Sequence, residues 1–85
     1  MGLNLYRRLM DLAENLGEFG ANDPVPREIA EVFNVLLEET KKAHGDDPIV
    51  VQAKALSIAS NERYAHTSCG ALRAVATQLS SAFRR

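Results

Sequence analysis

Apolar side chains in this chain recur at helical spacing and nowhere alternate over a useful length, which restricts it to helices packed on helices. Leu5, Leu9, Leu12, Leu16 and Phe19 fall four, three, four and three residues apart, one stripe of an amphipathic helix. Ile29, Val32, Phe33, Leu36 and Leu37 form a second, wider apolar face, with Glu28, Glu31, Glu38 and Glu39 mostly opposite it. The longest run is Val51, Ala55, Ile58, Glu62, Ala65, Cys69, Leu72, Ala76, Leu79 and Phe83, which keeps the same rhythm to the end of the chain. The fold class this predicts is all-α: an antiparallel helical bundle, with helices over about 3–19, 26–44 and 48–84, in a single helical domain spanning 1–85.

Punctuation residues set the boundaries. Gly20 follows the first stripe and is expected as the left-handed residue that ends it. Val25 precedes a proline and is pushed toward extended angles, so Pro26 can open the second helix, where its missing N–H is no loss. Lys41, Lys42 and His44 complement the negative end of that helix, and Gly45 stops it. Asp47-Pro48 reads as the cap and first residue of the third.

The third segment carries a conflict. Its rhythm favours one helix, long and kinked at most, whereas Ser60-Asn61 and Thr67-Ser68-Cys69-Gly70 are poor helix formers that favour a break near 60–70. A continuous helix would be about 54 Å long, roughly twice the reach of either partner. Part of its stripe would then need a second chain to cover it. A broken one would let four helices close on their own. Oligomerisation therefore hangs on this one structural question. The continuous form makes Val51, Ile58, Ala65, Leu72, Leu79 and Phe83 the interaction face.

Charge divides the chain along its length. Residues 23–47 hold seven acids against Arg27, Lys41 and Lys42, a net of −4. Residues 48–85 hold Glu62 against Lys54, Arg63, Arg73, Arg84 and Arg85, a net of +4. Such a split points to attraction within the chain or between copies of it. At 85 residues a lone core is marginal, and association is a common remedy. Trp is absent and aromatics are 6%, so Leu, Val, Ile and Ala must build the core. The one cysteine excludes an internal disulfide framework and fits a reducing, cytoplasmic location. No apolar run reaches the roughly 18–20 residues of a spanning helix, and Arg7, Arg8, Asp11 and Glu14 interrupt any leader-like stretch, so no membrane partner is expected.

Chemistry-bearing motifs are sparse. Glu62, His66 and Cys69 stand four and three residues apart, where a helix would bring carboxylate, imidazole and thiol together. A fourth ligand is missing, and Cys69 as a small apolar packing residue with Glu62 paired to His66 is the simpler account. The glycines are isolated, so no phosphate loop exists. No enzyme activity, metal or cofactor is expected. Arg63, Arg73 and Arg84, with His66, would line one side of a continuous helix as candidate anion or partner contacts.

The stretch from Pro26 to Val35 resembles the first helix and turn of a helix-turn-helix, with Ala30 and Asn34 at the small and turn positions. The resemblance covers about 20 residues and implies a DNA-binding regulator. The helix that would follow carries Glu38 and Glu39, which repel phosphate, and Thr40 in place of an aliphatic residue. Nucleic acid is therefore the second-ranked partner. The first-ranked function is a small, non-catalytic, cytoplasmic protein–protein interaction or assembly module. It forms a homodimer and engages another protein.

Overall fold

The computed structural model describes residues 2–84. Its elements, in chain order, are α1 (Gly2–Leu16), β1 (Pro24–Pro26), α2 (Arg27–Ala43), α3 (Pro48–Gln52), β2 (Tyr64–Ser68) and α4 (Cys69–Ser81), with a short 3-10 turn over Ala82–Arg84. The all-α bundle expected from periodicity is therefore corrected. The chain is mainly helical, but β1 and β2 pair as a two-stranded antiparallel sheet. The third helix of 48–84 is not formed. Its ends survive as α3 and α4, and residues 53–63 between α3 and β2 have no regular structure. At 35 Å in its longest dimension, the molecule has no room for a helix of about 54 Å.

Local chemistry explains where each element starts and stops. Asp47 caps α3 as expected, its Oδ1 accepting from the Ile49 N–H at 2.9 Å with Pro48 in the first turn. The Ser68 hydroxyl accepts from the Ala71 N–H at 3.2 Å, so a residue that weakens a continuous helix instead opens α4. Pro26 is extended (φ −59°, ψ 148°) and caps α2, which begins one residue later than expected. Gly20 does not end α1 in the left-handed conformation: no described glycine has positive φ, and the helix stops at Leu16. Phe19, the last member of the first stripe, is consequently 40% exposed.

The sheet arises because Pro24-Val25-Pro26 is held extended by its own rings. Pro24 pairs with Ser68 and Pro26 with Tyr64, so three residues of β1 face five of β2 and the ladder is irregular. Two bonds close its ends, Arg27 N–H to the Arg63 carbonyl and Cys69 N–H to the Asp23 carbonyl, both 2.8 Å. Beyond the sheet Gly70 donates to the Ala21 carbonyl at 3.0 Å. A Cβ at Gly70 would lie 3.0 Å from that oxygen, which is why the approach needs a glycine.

The core is one cluster. α1 contributes Leu5, Leu9, Leu12 and Leu16 and lies along α4, which contributes Leu72, Ala76 and Leu79. Phe33, Leu36 and Leu37 of α2 pack on both. Thr40, also fully buried, donates its hydroxyl to the Leu36 carbonyl at 2.7 Å, so its own polar atom is paired within the core. At one end Phe83 meets His44 edge-on at 4.4 Å and Tyr6 at 6.5 Å.

Candidate interaction groove

The expected interaction face is divided by the break in the third segment. Val51 on α3 is 58% exposed, Ile58 is half-buried against the core, and Phe83 is half-buried beneath His44. Ala65, Leu72 and Leu79 are buried within the chain's own core. Most of the stripe that a continuous helix would have offered to a second molecule is thus covered by α1 and α2.

Two of those residues nevertheless reach an opening. α3, the start of the irregular segment and α4 enclose an apolar groove of about 480 Å³. Phe33, Leu72 and Leu79 lie at its base, and Ile49, Leu56 and Val75 form its walls. Gln52, Lys54, Thr67 and Gln78 also line it, the polar residues of a mostly apolar recess. Broken into α3 and α4, the third segment makes a concave surface instead of a stripe. Concave, mostly apolar sites with a few polar groups are what proteins use to receive another molecule.

The arginines expected on one helix side are dispersed. Arg63 is exposed just before β2, and Arg73 is exposed on α4 close to Gly17. Arg84 falls in the 3-10 turn, and its side chain lies outside the described residues. The basic stripe proposed along a continuous helix is therefore corrected: no single helix carries all three. Arg8 pairs with Glu39 at 3.4 Å, Arg27 with Glu31 at 3.2 Å and Lys42 with Glu38 at 3.8 Å. Among the described residues no ion pair links Asp23, Glu28, Glu31, Glu38, Glu39 or Asp46 to Lys54, Arg63 or Arg73.

The metal-like triad does not assemble. His66 Nε2 stands 2.8 Å from Glu62 Oε2 at the surface, while Cys69 is fully buried and directs its Sγ to the Pro24 carbonyl at 3.6 Å. Burial, and secondarily the nearby Asp23 carboxylate, raises the thiol's pKa. A neutral buried thiol is a packing group, neither nucleophile nor ligand. Among the described residues no group of three His, Cys, Asp or Glu side chains could hold a metal ion. Nor, among the described residues, is any helix long and apolar enough to cross a membrane.

The turn implied by the helix-turn-helix resemblance is absent, because α2 runs unbroken through Asn34 to Ala43. Asn34 has a different task. Its Oδ1 accepts from the Leu56 N–H at 2.7 Å and its Nδ2 donates to the Leu56 carbonyl at 2.9 Å. Arg27, two turns earlier on the same flank, donates through Nη1 to the carbonyls of Ala59 (3.0 Å), Ser60 (3.4 Å) and Glu62 (2.7 Å). These two side chains fix the irregular segment along α2 and with it one wall of the groove. A signal for them exists in the sequence: two polar residues seven apart on the edge of an apolar face, one of them an asparagine inside a helix.

Comparison with known protein families, curated proteins and solved structures finds no match. What the chain does must be argued from its own surface.

Proposed function

We propose that this chain is a small, non-catalytic protein–protein interaction module of the cytoplasm that forms a homodimer and engages a further protein. The observation that carries the reading is the open apolar groove between α3 and α4, with Ile49, Leu56 and Val75 unburied enough to be covered by a partner. The division of charge supports a second copy as its first occupant: net −4 over 23–47 and net +4 over 48–85 are complementary between copies. A reducing compartment suits the lone buried thiol. A stable pairing must bury about 1,000 Å² or more in total, so the exposed parts of α3 and α4 beside the groove join it.

Sedimentation equilibrium at micromolar concentration tests this. The wild type is expected at twice the 9.3 kDa chain mass. Val75→Asp places a carboxylate on the groove wall, at a half-buried position on the edge of the core, and is expected to give a folded monomer. A wild-type monomer throughout the concentration range, or a Val75→Asp dimer of undiminished affinity, contradicts the proposal. Tight duplex binding at physiological salt that is lost with Arg63→Ala/Arg73→Ala would favour the DNA-binding regulator instead.

A further inference from the structure

Residues 48–59 read as helix and yet are helical only as far as Gln52. The next seven, Ala-Lys-Ala-Leu-Ser-Ile-Ala, contain no glycine or proline and three alanines, the best helix former. Nothing intrinsic ends α3. Its C-terminal residue, Ala53, is extended (φ −69°, ψ 138°) and offers no side-chain cap. The chain leaves the helix where Asn34 seizes both backbone groups of Leu56, in the manner of a neighbouring strand, and Arg27 collects three carbonyls further on. Local preference and tertiary contact are opposed here, a conflict that folded chains generally avoid.

The packing around this segment is thin. Leu56 and Ile58 are half-buried, while Ala55, Ser57, Ala59 and Ser60 are exposed. Leu56 lines both the groove of about 480 Å³ and a second cavity of about 470 Å³ that reaches Ala65 and Thr67 of β2. Few apolar contacts therefore oppose its release.

We propose that residues 53–63 form a latched strap, held extended by Arg27 and Asn34 against a sequence that favours helix, and that unlatching lets α3 grow through Ala59. Coiling residues 53–59 shortens that stretch by about 12 Å, and residues 60–63, now drawn into a turn closed by the Glu62 N–H on the Ala59 carbonyl, supply length when that turn opens. The Arg27 N–H bond to Arg63 and the pairing of β1 with β2 keep the far end in place. The grown helix replaces the two Asn34 bonds to Leu56 with backbone ones, and the Ala59 and Ser60 carbonyls that Arg27 releases belong to exposed residues and turn to water. Because Ala53, Lys54 and Leu56 line the groove, strap growth reshapes it. The strap's own behaviour does not depend on self-association.

Cα chemical shifts of residues 53–59, recorded on the monomer at dilution or in Val75→Asp, report the strap directly. The wild type should show extended shifts there. Arg27→Ala/Asn34→Ala removes the five hydrogen bonds that hold the strap and should raise the helix-to-strap ratio about a hundredfold or more, moving all seven shifts to helical values. Ser57→Ala leaves every latch atom intact and should raise the ratio about twofold through propensity alone, moving the seven shifts part-way toward helical values. If the first variant unfolds, the second decides. Shifts in the second variant that coincide with those of the wild type, or shifts that fall to random-coil values in a folded first variant, overturn the proposal. A monomeric wild type with the expected shifts would sink the dimer and leave the latch standing.

Discussion

α4 and the strap of residues 53–63 are neighbours in sequence and carry the same apolar rhythm, yet they are held in opposite ways. α4 is a capped helix whose Leu72, Ala76 and Leu79 are buried at 1%, 0% and 0% exposure against α1 and α2. The strap buries none of its side chains fully and is fixed by hydrogen bonds from two polar residues of α2. Periodicity describes what a segment could bury. Which segment gets to bury it depends on how much neighbouring surface exists. α1 and α2, of fifteen and seventeen residues, are long enough to cover α4 and no more. What remains of the third segment must turn back, and polar side chains then decide its path.

The contrast predicts effects of different size and reach. Leu72→Asp places an unpaired carboxylate at the centre of the apolar region, at a cost of several kcal/mol, comparable with the whole stability of a small domain. No cooperative thermal transition should remain by circular dichroism. Leu9→Ala leaves a cavity between α1 and α4 and should cost about 2–5 kcal/mol, with exchange accelerated throughout the core in denaturant and hydrogen-exchange measurements. Asn34→Ala should cost less, about 1–2 kcal/mol, and its effect should stay local to residues 53–63. Global acceleration in Asn34→Ala equal to that of Leu9→Ala would abolish the distinction between the two regions.

How much of this was legible in the residues follows the same division. The stripe of Leu5, Leu9, Leu12 and Leu16, the face of Phe33, Leu36 and Leu37, and the cap at Asp47-Pro48 are local patterns with local physical causes, and they are where periodicity places them. Val32 is not: it is 47% exposed because α1 covers only one side of α2. The sheet escaped notice since β1 is three residues long and neither strand alternates. Pro24-Val25-Pro26 signals extended backbone, but its partner lies some forty residues away. Thr67-Ser68-Cys69-Gly70 correctly warned against one long helix. Residue propensities could not show that the interruption would be a strand. The groove depends on α3 and α4 turning toward each other, which no spacing along a single helix encodes.

The smallest expected effect concerns Cys69 at the join between β2 and α4. Burial raises its folded pKa above the unfolded thiol's value of about 8.5. Its contribution to stability is therefore fully present below that value and is lost as pH rises from there toward the folded pKa. Melting temperatures compared between pH 7 and pH 10 should fall more in the wild type than in Cys69→Ala. Equal slopes would mean that the thiol is as well solvated in the folded chain as in the unfolded one.

The central claim is that the apolar rhythm of residues 48–84 is split between a buried helix and a polar-latched strap. Hydrogen–deuterium exchange of the intact wild-type protein, resolved by residue, tests it most directly. Amides of α1, α2 and α4 should be the slowest. Those of residues 54–61 should exchange far faster, apart from Leu56, whose N–H is held by Asn34. Continuous, uniform protection from Val51 to Phe83 would contradict the account and restore the single long helix.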